Sequence, residues 1–212
     1  MKEKIIIVTG ISGFLGLALT KSLISQDYTV IGFRRNIRKK LKFNNKKLII
    51  YKNNKKQILK VFSEYSNILG IIHTATCYGR QNETILEILE ANVYYPLNLL
   101  ELAVKKNVKF FINTDTVLQK YLNLYSMSKN QFLDWCRFFA KNSSIKILNL
   151  KLQHMYGPGD DSNKFTGFIF DQLIKNVKEI DLTPGYQERD FIFIDDVVNA
   201  YNVTLNNIDT FR

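Results

Sequence analysis

The sequence predicts an α/β fold, a doubly wound parallel sheet with helices on both faces, and three observations carry that prediction. Short apolar runs alternate with amphipathic stretches through most of the chain. The runs are almost continuously apolar, as strands covered on both faces are, whereas a half-solvated strand would alternate. The first run ends in a glycine and leads straight into a helical stripe, which starts a strand–helix–strand unit. At 212 residues the chain can hold one such domain with a real core.

Taken in order, "KEKIIIVTG" is a short strand closing on Gly10. "FLGLALTKSLISQ" places Phe14, Leu15, Ala18, Leu19, Leu23 and Ile24 on one helical stripe, and "YTVIGF" is a second buried strand. "KLIIY" and "NILGIIHTAT" are two further strands, separated by the helical segment "KQILKVFSEYS". A long helix is expected from Glu83 to Lys105, then the strand "VKFFINTDT", the helix "YSMSKNQFLDWCRFFAKN" and the strand "IKILNLKL". Beyond "YGPGDD" the rhythm changes. "KFTGFIFDQLIKN" reads as helix, "RDFIFID" as strand, and "DDVVNAYNVTLNN" as a helix with Asp195 as its expected N-cap. The expected division is a dinucleotide-binding domain over residues 1–150 and a partial substrate-binding lobe over 151–212, interleaved with the last sheet strand.

Composition bounds the function. Hydrophobic content of 46% and charged content of 23% are those of an ordinary globular protein. Glycines interrupt the longest apolar runs, so none reads as a membrane span. No basic-then-apolar leader opens the chain, and a cytoplasmic protein is expected. Cys77 and Cys136 stand far apart with no histidine at ligand spacing, so neither a disulfide framework nor a metal site is indicated. A net charge of +11 invites a nucleic-acid reading, but the basic residues are scattered except in "FRRNIRKKLKFNNKK", Phe33 to Lys47. Nucleic acid is therefore not an expected partner; a basic surface also suits small phosphorylated ligands.

"TGISGFLG" sets Gly10, Gly13 and Gly16 between the first strand and the first helix. In that context Gly10 permits the tight turn, Gly13 the approach of a pyrophosphate and Gly16 the packing of helix on strand, the Rossmann-type arrangement. Backbone N–H groups of the segment Gly10, Ser12, Gly13, Phe14, Leu15 and Gly16 then face phosphate at the positive end of a helix. The second strand ends "VIGFRRN", with no Asp or Glu between Asp27 and Glu64. An acid there would hold a ribose hydroxyl, whereas Arg34 and Arg35 suit a 2′-phosphate. NADP(H) is favoured, with NAD(H) as the alternative.

A nicotinamide site makes "YSMSK" interpretable. Tyrosine's free pKa of about 10 is too high for a base at neutral pH, and a lysine one helical turn away lowers it. "NTDT" supplies Thr114 and Thr116 at a strand's carboxyl end, where open α/β sheets place ligands, and either hydroxyl can hold a substrate oxygen.

The glycine turn, "IIHTAT", "EANVYYPLNLLELA", "FFINTDT", "YSMSK", "LKLQHMYGPGDD" and "GYQERDFIFIDDVVNAY" together resemble the extended short-chain dehydrogenases/reductases, an NAD-dependent epimerase/dehydratase family acting on nucleotide sugars. The resemblance runs from Lys4 to about Asn206. It implies Tyr125 as acid/base, Lys129 as the residue lowering its pKa and holding the nicotinamide ribose, and Thr116 as the substrate-oxygen ligand, with Thr114 in reserve. It puts Thr74, Ala75, Thr76 and Asn92 in the cofactor segment, Asn92 by supporting the active-site strand. Arg189 is implied to grip the substrate diphosphate, and His154 stands where relatives carry a substrate-touching asparagine. A packing role for His154 is the alternative, and His73 reads as structural.

Within the family, "IIHTATCYGR", "HMYGPGDD" and "QERDFIFIDD" are most like members that reduce the 4-keto group of a CDP-4-keto-3,6-dideoxyhexose with NADPH for surface polysaccharide (O-antigen) synthesis. Asp115 follows Thr114 but no Glu follows it, so dehydration is disfavoured. A 4-epimerase retaining NAD and a truncated, non-catalytic dinucleotide-binding remnant are the rival readings, because family members continue well beyond the "DDVVNAY" helix. A homodimer is expected, paired through Glu83–Lys105 and Tyr125–Asn142.

Overall fold

The computed structural model describes residues 4–37, 41 and 43–211; within the basic run at 33–47, Arg38, Lys39, Lys40 and Lys42 lie outside them. Six parallel strands form the sheet: β1 (Ile5–Thr9), β2 (Thr29–Arg34), β3 (Leu48–Lys52), β4 (Ile68–His73), β5 (Phe110–Thr116) and β6 (Lys146–Leu152). Their order is β3-β2-β1-β4-β5-β6, the doubly wound arrangement expected. The order reverses between β1 and β4, so a crevice opens beyond their carboxyl ends.

Each strand sends alternate side chains to opposite faces. Ile5, Ile7, Ile31, Ile71 and Phe111 face a core completed by α2 (Lys55–Glu64), α4 (Tyr95–Lys105) and α5 (Leu124–Asn142), through Val61, Phe62, Leu99, Leu100, Phe132 and Leu133. Ile6, Val8, Val30, Ile72, Phe110 and Ile112 face the other core, formed with α1 (Phe14–Ser25) and α7 (Ile194–Asn206) through Leu15, Leu19, Leu23, Val197, Tyr201 and Leu205. Burial on both faces is why the runs had to be continuously apolar. It also packs α7 against α1: Asn202 of α7 hydrogen-bonds Ser22 of α1 and Gln26, the residue that caps its end.

Three elements depart from the sequence expectation. The single helix expected over Glu83–Lys105 is α3 (Ile85–Leu89), a π turn (Glu90–Tyr94) and α4. Thr84 caps α3 in a reciprocal box with Glu87, which fixes the start. The expected strand "RDFIFID" shrinks to β8 (Phe191–Phe193), and it pairs in parallel with a strand the periodicity did not disclose, β7 (His154–Tyr156). Asp195 is not the N-cap of α7; Phe193, in extended conformation, is, and Asp195 and Asp196 lie in the first turn, where the helix dipole favours carboxylates. The remaining helix, α6 (Phe165–Ile174), buries none of its residues.

Candidate active site

The glycine turn follows β1 at the sheet's reversal point. Gly10 has φ of +67°, and a β-carbon on it would lie 2.8 Å from the backbone nitrogen of Ala75 and the hydroxyl of Thr74. Gly16 is tighter: its β-carbon would fall 2.2 Å from the Gly10 carbonyl oxygen. The turn is thus threaded between α1 and the segment after β4. Gly13 begins α1 with no side-chain cap and no acidic residue in the first turn, and Ser12 and Gly13 are exposed while Phe14, Leu15 and Gly16 turn inward. Unoccupied cap geometry, exposed glycine backbone and a bare first turn fit a phosphate group.

Thr9, the last residue of β1, locks this turn to β4. Its hydroxyl accepts from the backbone N–H groups of Thr74 and Ala75 and shares a 2.9 Å hydrogen bond with His73 Nδ1. The Thr74 hydroxyl returns a bond of 2.7 Å to the Thr9 carbonyl. His73 is completely buried among Tyr95, Phe111 and Phe132, and its pKa is held well below the usual value, first by burial and then by Lys129. Its role is structural, as the sequence indicated.

Asn92, inside the π turn, ties that same segment to α5. Its Oδ1 accepts from Cys77 N–H at 2.7 Å and from the Thr76 hydroxyl at 3.2 Å; its Nδ2 donates to the Cys77 carbonyl and to Ser128 Oγ. Fully buried and fully engaged, the Asn92 amide holds the loop after β4, the segment expected to line the cofactor.

On α5, Tyr125 is half-buried and Lys129 buried. The Thr116 hydroxyl accepts from the backbone N–H of Leu118 at 3.2 Å, and it is one of the groups that hold the Tyr125 pKa down against burial. Thr114 is spoken for elsewhere, sharing a 2.6 Å hydrogen bond with Tyr201 of α7 on the other face of the sheet. Thr114 is thus engaged on the far side of the sheet, and Thr116 is the hydroxyl whose influence reaches Tyr125. The Tyr125 pKa is raised, chiefly by burial and then by Tyr78; Thr116 lowers it, Asp115 raises it and Arg80 lowers it. This corrects the expectation that the Lys129 ammonium would lower it: burial outweighs the opposing groups, and the charge of Lys129 acts instead on His73 and Cys136. Burial pulls Lys129 itself down to about 8, against an opposing pull from Asp115.

Asp115 is the carboxylate beneath this group. It accepts from the backbone N–H of Thr116 at 2.8 Å and from Asn149 Nδ2 at 2.6 Å, and Asn113 donates to Asn149 in turn. The sequence reading weighed Asp115 only as a dehydratase partner and did not see it as the buried counter-charge of Lys129. Tyr78 and Arg80 were missed as well. The Tyr78 ring lies 5.0 Å from that of Tyr125, and the Arg80 guanidinium sits over Tyr78 at 5.3 Å. Nothing in "CYGR" marks them, since they come from a loop whose path only tertiary structure defines.

The remaining expected residues lie at two edges. Arg34 is buried at the end of β2; Arg35 is exposed, and its charge reaches Cys77 and Glu83 across the crevice. His154 and Arg189 are exposed on and beside β7 and β8, the His154 ring 5.8 Å from that of Phe191. The His154 pKa is lowered by burial, then by Arg189, Lys164 and Arg80. No group of metal-ligating side chains occurs among the described residues, and no helix among them is long and apolar enough to cross a membrane.

Residues 6–212 match the family described as NAD dependent epimerase/dehydratase family. The chain is 36% identical over 215 residues to CDP-abequose synthase of Salmonella typhimurium strain LT2, covering 97% of this chain and 71% of that protein. It is 36% identical over 206 residues to CDP-abequose synthase of Salmonella muenchen, covering 94% and 69%. Among solved structures, UDP-glucose 4-epimerase of Thermotoga maritima with UDP-glucose superposes with a TM-score of 0.83 at 22% identity, covering 94% of this chain and 72% of that one.

Proposed function

Because the chain belongs to the NAD dependent epimerase/dehydratase family, as an extended short-chain dehydrogenase/reductase, we propose that it reduces the 4-keto group of a CDP-linked 4-keto-3,6-dideoxyhexose with NADPH, in surface polysaccharide synthesis. Modification of a nucleotide sugar is supported by the CDP-abequose synthase relatives. The observation that carries the chemistry is a Tyr125 phenol seated on α5 against the Tyr78 ring at 5.0 Å, with its pKa raised by burial. A phenol kept protonated is a proton donor, which is what an alkoxide forming at C4 requires.

In this reading the glycine turn, with Thr74, Ala75 and Thr76, holds the dinucleotide, and Lys129 holds its ribose. When bound, the nicotinamide supplies the hydride. Thr116 orients the carbonyl oxygen, Tyr125 gives it a proton, and Lys129, Asp115 and Asn92 keep that phenol in position. Arg34 and Arg35 take the 2′-phosphate, the reason for preferring NADPH to the NAD of the family's description. His154 and Arg189 face the substrate from the β7–β8 side of a lobe formed within residues 151–212. We also infer a cytoplasmic homodimer. Its interface uses α3 to α5, which leave Leu86, Tyr94, Trp135 and Phe138 exposed; a purely monomeric light-scattering mass refutes it.

The test is oxidation of NADPH on adding the CDP-keto-dideoxysugar. Tyr125→Phe should lower kcat by about 10²- to 10⁴-fold while leaving NADPH affinity intact. Cofactor binding without turnover would point to a non-catalytic remnant. NAD that stays bound through gel filtration would point to a 4-epimerase.

A further inference from the structure

Tyr78 and Arg80 stand in the loop between β4 and α3, in none of the roles assigned so far. Tyr78 is 46% exposed, yet its ring is laid against the ring of Tyr125. Arg80 is exposed, and its guanidinium is parked over the outer side of the Tyr78 ring. Stacking leaves the planar fork of a guanidinium free at its edge, where N–H groups can reach an anion beside the ring. Among the described residues no carboxylate lies within ion-pair distance of Arg80. Asp161, the carboxylate its charge acts on, is held first by the backbone N–H and side chain of Asn163, and its neighbour Asp160 is paired with Lys164 at 2.7 Å.

The charge of Arg80 is felt in three places: at Tyr125, at His154 on β7 and at Asp161 beyond it. It therefore spans the gap between the phenol and the β7–β8 edge, where Arg189 also acts on His154. Arg189 has only the carbonyl of Glu188 as a hydrogen-bond acceptor, again leaving its fork available. A sugar whose C4 meets Tyr125 carries its diphosphate on C1, one ring-width away. Arg80 reaches that region through the Tyr78 ring, and its charge meets that of Arg189 at His154, so the two guanidiniums form a place for a dianion.

We propose that Arg80, carried on the ring of Tyr78, binds the diphosphate of the nucleotide sugar and so sets the distance between the sugar's anchored end and Tyr125. This rests on the nucleotide-sugar reading above. Guanidinium–phosphate bonds are charge-assisted and formed equally in ground and transition states, so their loss raises KM and leaves kcat nearly unchanged.

The test is titration of the full chain with CDP and UDP, with free cytidine and uridine as comparators. Arg80→Gln should weaken diphosphate binding by about 10- to 100-fold, leave the nucleosides and NADPH unaffected, and raise the sugar-nucleotide KM to match. Arg80→Lys, which keeps charge without the fork, should fall between. Tyr78→Phe should bind like wild type and Tyr78→Ala like Arg80→Gln, because the ring is the support. Lys55→Gln on α2 controls for a general loss of charge. Equal diphosphate affinity in wild type and Arg80→Gln overturns the inference, as does a fall in kcat at unchanged KM. A wild-type chain that binds neither diphosphate overturns the inference together with the nucleotide-sugar reading, which separates the two failures.

Discussion

Gly16→Ala should separate the packing role of the glycine turn from its binding role. The added methyl would lie 2.2 Å from the Gly10 carbonyl oxygen, 2.7 Å from the Gly10 carbonyl carbon and 2.9 Å from Thr74 Oγ1. The first two obstacles are backbone, and Gly10 is itself pinned at φ +67° with Ala75 close behind it. The turn cannot step aside, so α1 must be pushed off the sheet. Overpacking of this kind costs up to about 3 kcal/mol, and alanine's better helix propensity returns about 1 kcal/mol. A net loss of about 2 kcal/mol lowers Tm by about 4–8 °C in a chain of this size. Gly13→Ala is the counterpart. Its β-carbon meets only the Gly10 oxygen, at 3.2 Å, and points to open space. It should leave Tm within about 2 °C while weakening NADPH binding at least tenfold, because the methyl stands where a phosphate approaches. Scanning calorimetry and cofactor fluorescence titration on both variants decide the matter. A Gly16→Ala protein that melts with wild type, or a Gly13→Ala protein that binds NADPH normally, refutes the assignment of the two glycines.

Three further outcomes follow from the buried polar groups. Lys129 is held down to about 8 and Asp115 opposes that depression, so kcat/KM for NADPH should fall as pH rises through about 8, and Asp115→Asn should move that limb to lower pH; an unmoved limb would detach Asp115 from Lys129. His73 in the folded chain has a pKa well below 6.5, so the unfolded state takes up a proton the native state refuses. Stability should be complete above about pH 6.5 and decline below it, by at most about 1.4 kcal/mol per pH unit, and His73→Asn should flatten that dependence in denaturant titrations. Asn92→Ala strands the N–H and carbonyl of Cys77, while the Ser128 hydroxyl keeps its bond to the Tyr125 carbonyl; at a penalty of about 1–3 kcal/mol per stranded group, melting should drop by roughly 4 °C or more. A normal melting curve would mean water replaces the amide without loss.

What the sequence disclosed and what it hid divide along a physical line. The six strands were legible because burial on both faces writes long apolar runs, and the glycine turn was legible because Gly10 and Gly16 answer local steric demands. The proximity of Tyr125 and Lys129 on one helix face was legible from their spacing, and Thr114 and Thr116 from their strand-end position, while only the family resemblance pointed to Thr116. The net direction of the Tyr125 pKa was not, because it depends on how deeply α5 seats the phenol against β5. Likewise, the partnership of Asn113, Asn149 and Asp115 joins residues far apart in the chain through the β5–β6 register. β7 is three residues long and its periodicity is too short to read, so it emerged only through its pairing with β8. Tyr78 and Arg80 belong to a loop that the Asn92 amide shapes from a distance of some fifteen residues.

The π turn at Glu90–Tyr94 makes this region sensitive to length as well as to composition. A wide turn gives the segment a rotational phase that a regular helix of the same sequence would not have. Removing one residue there, other than Asn92, would let α3 and α4 fuse into one regular rod whose ends keep nearly their present facing, because four residues at about 100° each cover almost the rotation of the five in the wide turn. Removing one from the regular turns of α4 would instead swing Thr84, Ile88 and the loop leading back to Cys77 by about 100° about the axis, away from α5. The chain should therefore tolerate the loss of a residue inside the wide turn far better than the loss of one in α4.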